Sequence, residues 1–291
     1  MLQLLFSILT NALPFLPFAF AVAISFNILR ATDMTLDGSF VIGASVFAKV
    51  VTLGFSPIIA AFAAIIAGML SGVMVASIQR GGRVDPLLAG VLATFILASL
   101  SLVIMGRPNI SLLSVTTLLS PAFASSELLG FMLVALYSAL LCVAIILLFR
   151  SNVGLKLRAL GDNPSLLTRL GYSLEGNRSL GFATTNGMAA FAGMLMAQTT
   201  GFADVGMGYG MTLTGIGAII LGRQLVLFST HLSMLRIIGE FMTALIGVLL
   251  YFTVLVLLLR FDVDPVYLKM CMGLLLIFFL RAAFHAKAHG R

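Results

Sequence analysis

The chain consists of long apolar segments separated by short polar connections. All but the seventh are close to the ~20 residues that a helix needs to cross the hydrocarbon core of a bilayer. The segments cover residues 4–29, 34–54, 57–78, 86–105, 128–149, 180–199, 211–221, 237–259 and 265–280. Because uninterrupted apolar runs lack the alternation of β-barrel strands, the pattern predicts an all-α polytopic membrane protein with about nine (8–10) spans. The seventh segment is short and interrupted by glycines, which predicts a broken helix.

The composition excludes the main soluble classes. Of the 291 residues, 60% are hydrophobic and 9% are charged, whereas roughly a quarter of the residues in a soluble domain are charged. Cys142 and Cys271 both lie inside apolar segments, so a secreted disulfide scaffold is also excluded. We therefore expect residues 1–291 to form a single transmembrane domain.

Basic residues are concentrated in alternate connections. The richest connection, residues 150–179, is called the basic loop here and carries Arg150, Lys156, Arg158, Arg169 and Arg178. Because cytoplasmic loops are enriched in Lys and Arg, we place this loop in the cytoplasm. Thirteen of the 17 Lys and Arg residues then lie inside, which predicts an external N-terminus and a cytoplasmic C-terminus. This bias also explains the net charge of +7 without any nucleic-acid partner.

The third apolar segment repeats a small residue at every fourth position: Ala60, Ala64, Gly68, Gly72 and Ala76. Residues four apart share one helix face, and small residues let two backbones approach closely. The repeat predicts a packing surface against another helix. The alternative is that it lines a pore.

The basic loop contains the sequence of a short helix. Asn163 is a suitable N-cap, Pro164 suits the first helical position, and Gly171 suits the end. Its apolar residues are Leu166, Leu167 and Leu170. Since a helix of about two turns is not stable alone, we expect this apolar face to bind a partner protein or the lipid surface.

Few ionisable residues lie near the spans, and such residues are candidates for function. Asp33 and Asp37 are one turn apart at the entry to the second span, in ATDMTLDGSF. Their negative charges could stabilise the N-terminus of that helix, or the two residues could line a transport pathway with Asn27 and Ser39.

Motifs for catalysis are missing from the sequence. It has no GxxxxGK[ST] phosphate loop and no HExxH, so we expect neither an enzyme nor a bound ATP. His285 and His289 have the spacing of metal ligands, but two ligands alone make a weak site and no metal is expected. The sequence also predicts an ion pair between Glu240 and Arg236.

Three motifs in the second half resemble those of a known family. They are RALGDNPSLLTRLG at residues 158–171, GFATTNGMAAFAGMLMAQ at 181–198 and GIGAIILG at 215–222. These resemble the permease subunits of bacterial ATP-binding-cassette (ABC) importers of the branched-chain amino acid and ribose type. Leu166 and Leu167 replace an alanine pair of that family's loop, and the second glycine of its small-residue patch is missing. These departures bear on the partner, not on the fold.

The first half narrows the resemblance. FNILRATDMTLDGSF at residues 26–40, LLAGVLATF at 87–95 and IMGRPNISLL at 104–113 resemble the subgroup of tryptophan or tyrosine uptake permeases. The resemblance covers nearly the whole chain. It implies a multi-pass protein of the bacterial inner membrane that acts with a second permease copy, an ABC ATPase holding the ATP and Mg, and an extracytoplasmic substrate-binding protein.

In that family the basic loop contacts the ATPase. The matching residues here are Arg158, Gly161, Asp162, Asn163, Pro164, Leu166, Leu167, Arg169, Leu170 and Gly171. The implied solute is an aromatic or branched-chain amino acid, although sugar and nucleoside permeases share these motifs. A stand-alone carrier or channel and a membrane scaffold are the alternatives from other classes.

Overall fold

The computed structural model describes residues 2–82, 84–226 and 236–264, with residues 267, 270, 271, 273, 274 and 277. Its helices are α1 (Leu2–Ala23), α2 (Thr35–Thr52), α3 (Pro57–Ile78), α4 (Pro86–Met105), α5 (Ser120–Ser125), α6 (Glu127–Arg150), α7 (Asn152–Asp162), α8 (Pro164–Arg169), α9 (Leu174–Thr200), α10 (Met211–Val226) and α11 (Arg236–Arg260). Within the described ranges, eight helical stretches are long and apolar enough to cross a membrane. This confirms the all-α polytopic fold. Most of the predicted ninth span, residues 265–280, and the histidines at 285 and 289 lie outside the described residues.

The centre of the molecule is formed by α1, α2 and α9, which are the most buried of the long helices. In α1, the side chains of Phe15, Phe18 and Phe20 are fully buried. α1 continues directly into a π-helical segment, Ile24–Ile28. The outward faces of α3, α4 and α6 carry exposed leucine, isoleucine and phenylalanine side chains, as expected of surfaces that face lipid.

Small residues hold α3 against α9. All five members of the predicted repeat are buried. A Cβ added at Gly68 would lie 2.6 Å from the carbonyl oxygen of Asn186, and one at Gly72 would overlap the backbone of Phe182. The repeat is therefore a packing surface, as predicted, and its glycines are required because the two backbones nearly touch.

Two short strands, β1 (Asn109–Ser111) and β2 (Phe202–Asp204), form an antiparallel pair that the apolar pattern did not predict. After β2 the chain makes a 3₁₀ turn at Val205–Gly208 and then starts α10. Gly210 has φ +77°, a left-handed conformation that suits glycine. The predicted seventh segment, residues 211–221, is not itself broken: Gly215 and Gly217 lie inside α10, which extends further, to Val226. The glycine-rich interruption lies before the helix, at this tight turn.

Candidate functional site

The short helix predicted in the basic loop is α8, and its ends are those predicted. The side-chain oxygen of Asn163 accepts hydrogen bonds from the N–H of Leu166 at 3.3 Å and from the hydroxyl of Ser165 at 2.7 Å. At the other end Gly171 has φ +78° and the N–H of Tyr172 donates to the carbonyl of Leu167 at 2.9 Å. These contacts satisfy backbone groups that a free helix would leave unpaired.

The three leucines of α8 and its C-cap, Leu170, do not share one exposed face. Leu166 and Leu170 are 44% and 62% exposed, whereas Leu167 is 2% exposed. Residues 166 and 170 are one turn apart and lie on the same face, while residue 167 is rotated away toward α7 and α9. The prediction that a partner must bury all three is therefore wrong for Leu167, which the chain buries itself.

A second helix of the basic loop, α7, was not predicted. Ser151 caps its start by accepting a hydrogen bond from the N–H of Val153 at 3.3 Å. Its buried residues are Gly154, Leu157 and Leu160, which recur every three positions on one face. That spacing and the serine cap are visible in the sequence and could have revealed the helix.

α7 joins the basic loop to the end of the first span. A Cβ added at Gly161 would overlap the carbonyl oxygen of Ile28, so α7 lies directly on the π-helical segment. Next to this contact, Arg30 pairs with Asp162 at 2.9 Å. Arg30 has φ 51°, an unfavourable conformation for a non-glycine residue that costs about 1–3 kcal/mol. The surrounding contacts must compensate for this strain.

The other residues predicted to contact a partner differ in exposure. Arg158 is half-buried, while Asp162, Asn163, Pro164, Arg169 and Gly171 are exposed. Gly161 is half-buried against the first span. The surface of α8 that remains available thus carries Leu166, Arg169 and Leu170.

The predicted pathway residues form three separate contacts. In the first, Ser39 donates to the side-chain oxygen of Asn186 at 2.6 Å, and the side-chain nitrogen of Asn186 donates to Asp33 at 2.7 Å. All three side chains are fully buried. Burial raises the pKa of the Asp33 carboxyl above its usual range, and the hydrogen bond from Asn186 acts in the opposite direction. Asn186 was not predicted, because it lies among small residues in the middle of α9.

The second contact is made by Asp37. Its carboxylate accepts hydrogen bonds from the N–H groups of Gly210 at 3.1 Å and Thr212 at 2.6 Å, and from the Thr212 hydroxyl at 2.6 Å. These groups stand at the start of α10, where a negative charge is favourable because the backbone N–H groups lack helical partners. Asp37 thus binds the N-terminus of α10, which only the tertiary fold brings near it.

The third contact links three helices near the basic loop. Asn27, in the π-helical segment, donates to Glu240 of α11 at 2.7 Å. Arg223 of α10 pairs with the same carboxylate at 3.3 Å. The side chain of Arg236, the predicted partner of Glu240, lies outside the described residues. In the described part of the chain no group of three or more His, Cys, Asp or Glu side chains is placed to hold a metal ion.

The geometry suits a membrane protein whose spans are linked by polar contacts and whose basic loop leaves Leu166 and Leu170 exposed. A family model described as the permease component of branched-chain amino acid transport systems matches residues 4–280. The chain belongs to this permease family. The resemblance based on its motifs is confirmed.

Three relatives of this permease are similar over different lengths. A protein of Rickettsia prowazekii (strain Madrid E), described as uncharacterized, is 42% identical over 94% of this chain and 96% of its own. The tyrosine transport system permease protein of Clostridioides difficile (strain R20291) is 35% identical over 75% of this chain and 72% of its own. The autoinducer 2 import system permease protein of Klebsiella pneumoniae is 31% identical over 44% of this chain and 36% of its own. No solved structure matches.

The family and the eight apolar helices together make this permease an integral protein of the inner membrane. The family is one of transport components, and members of it serve ABC importers. The described contacts therefore belong to a transport component.

Proposed function

We propose that this permease is the membrane-spanning subunit of an importer driven by a separate ABC ATPase, and that the ATPase binds α8. The observation that carries this proposal is the exposure of Leu166 and Leu170, at 44% and 62%, on a helix with capped ends. An apolar face that the chain leaves open on a well-formed helix is suited to binding a partner.

The contacts behind α8 support a role in transmitting movement. α7 precedes α8 with Asn163 alone between them, and Gly161 of α7 lies against the carbonyl of Ile28. The π-helical segment there also bonds to α11 through Asn27 and Glu240. A displacement of α8 by the ATPase would therefore reach the ends of α1 and α11, where it could open the pathway to one side or the other.

The expected assembly follows from the family and the charge pattern. Since each chain offers one α8, a pair of ATPase subunits requires a second permease copy. The basic loop faces the cytoplasm if the Lys and Arg bias is followed, which puts the N-terminus outside and the C-terminus inside. A substrate-binding protein would then approach from the opposite side, where β1 and β2 lie.

For the solute, we favour an aromatic amino acid. The support is the relative named for tyrosine transport, which is 35% identical over 75% of this chain. The relative named for autoinducer 2 import is matched over less than half of the chain and makes autoinducer 2 a second candidate solute. Mass spectrometry of the ligand bound by the cognate binding protein, followed by uptake assays with labelled tyrosine, separates the two.

The ATPase contact is tested by Leu166→Asp and Leu170→Asp. Each places a charge in the proposed apolar contact, so the ATPase should no longer co-purify with the permease. The matched control is Leu113→Asp, since Leu113 is 85% exposed and lies at the far end of α9, beside Gly201. Full retention of the ATPase by both variants would refute the contact and would indicate that α8 binds the lipid surface instead.

A further inference from the structure

A cavity of about 190 Å³ lies beside the basic loop. Its walls come from the connection between α1 and α2, the end of α3, the start of α4, the junction of α7 and α8, and α9. At roughly 30 Å³ for each water molecule, the volume corresponds to about six waters and is enough for a phosphate group. The cavity is separate from the three polar contacts between the spans.

Two arginine residues line the cavity. Arg30 and Arg178 both belong to its walls, together with Thr32 and the buried side chain of Gln79. The charge of Arg30 is balanced by Asp162 at 2.9 Å. Arg178 forms no hydrogen bond or ion pair with any residue in the described ranges, which include all ten acidic residues. The cavity therefore has an excess of positive charge.

The nearby acidic side chains are engaged elsewhere. Glu175, one turn before Arg178 on α9, pairs with Arg80. Asp85 accepts hydrogen bonds from the N–H groups of Leu87 and Leu88 at 2.9 and 3.3 Å and so caps α4. Because that helix end is already occupied, the attraction for an anion comes from the arginines.

One wall of the cavity continues onto an apolar surface. Pro86, the first residue of α4, lines the cavity. The outward side chains of the same helix are exposed and apolar: Leu87 46%, Leu88 53%, Leu92 47% and Phe95 64%. A lipid whose headgroup entered the cavity could lay an acyl chain along α4. Basic pockets between helices at the membrane boundary bind acidic headgroups in this way.

We propose that this cavity binds a phosphate group, supplied by the headgroup of an anionic phospholipid. Arg178 is the principal contact, and Arg30 and Thr32 lie within the same site. The proposal does not depend on the ATPase, because the site is tested on the purified permease alone.

The experiment is native mass spectrometry of the permease in detergent, titrated with phosphatidylglycerol or with phosphatidylcholine. We expect phosphatidylglycerol to bind the wild type, and Arg178→Gln to bind it about fivefold to tenfold more weakly, as loss of one arginine at a membrane surface implies. Arg178→Lys should retain most of the binding. The matched control is Arg150→Gln, because Arg150 is exposed on the same loop but is not part of the cavity.

A second arm adds inorganic phosphate without lipid and follows the melting temperature. Suppose that phosphate alone raises the melting temperature of the wild type but not of Arg178→Gln, while phosphatidylglycerol binds both equally. The cavity then binds phosphate, but the proposal that a lipid supplies it is overturned. The site itself is overturned if Arg178→Gln binds phosphatidylglycerol as tightly as Arg150→Gln does and phosphate raises the melting temperature of neither the wild type nor Arg178→Gln.

Discussion

Two buried serines of α2 should respond differently to the same substitution. Ser39 and Ser45 are both fully buried. The hydroxyl of Ser39 donates to Asn186 at 2.6 Å, whereas that of Ser45 has no hydrogen-bond partner within the described part of the chain. Replacing each by alanine removes the same atoms, so the difference between the two variants isolates the hydrogen bond.

The magnitudes follow from what each variant leaves behind. Ser39→Ala leaves the buried side-chain oxygen of Asn186 without the hydroxyl that donates to it, so the free energy of unfolding should fall by about 1–3 kcal/mol. Ser45→Ala removes a buried hydroxyl that is already unpaired, so stability should stay within about 0.5 kcal/mol or rise. Ser39→Ala combined with Asn186→Ala should show a coupling energy of about 0.5–3 kcal/mol, because the two residues are in contact.

The measurement is reversible unfolding in mixed detergent micelles by titration with sodium dodecyl sulfate, alongside uptake by the reconstituted complex. Equal free energies of unfolding for Ser39→Ala and Ser45→Ala would contradict the structural role of the hydrogen bond. The sequence instead predicts that Ser39 belongs to the pathway. That role would be supported by a loss of uptake from Ser39→Ala at unchanged stability.

Further variants test the basic loop and α10. Leu167→Ala should lower the free energy of unfolding by about 2–5 kcal/mol, whereas Leu166→Ala should change it by less than about 0.5 kcal/mol; similar values would contradict the assigned burial. Asp37→Ala should reduce stability by about 0.5–2 kcal/mol and reduce uptake, because α10 loses its cap, and wild-type behaviour in both assays would refute this. Gly161→Val should lower ATP-dependent uptake while the ATPase still co-purifies, since its side chain would overlap the carbonyl of Ile28. Loss of the ATPase from this variant would place Gly161 in the contact itself.

Much of the fold could be predicted because lipid imposes simple rules on sequence. A spanning helix must be long and apolar, and the runs at residues 57–78 and 86–105 coincide with α3 and α4. Backbone approach requires small residues, so the repeat containing Gly68 and Gly72 already indicated a packing surface. Local caps obey equally local rules, and the ends of α8 at Asn163 and Gly171 were therefore visible.

The partners of the polar side chains were decided only by the tertiary structure. Asp37 appeared to belong to the start of its own helix, but it binds the start of α10, about 175 residues away in sequence. Asn186 has no distinguishing neighbours in sequence. It matters because the packing of α9 places its side-chain amide within hydrogen-bond distance of both Asp33 and Ser39.

Local sequence was enough to predict the eight long apolar helices of the described residues, the ends of α8 and the family resemblance, because each depends on residues close together in the chain. The burial of Leu167, the exposure of Leu166 and Leu170, and the cavity shared by Arg30 and Arg178 follow from the packing of distant helices. They could not be predicted because burial and charge pairing depend on which of those helices are neighbours. In this protein those neighbours are selected by close backbone contacts at glycines such as Gly161, where the sequence shows the small residue but not the surface it meets.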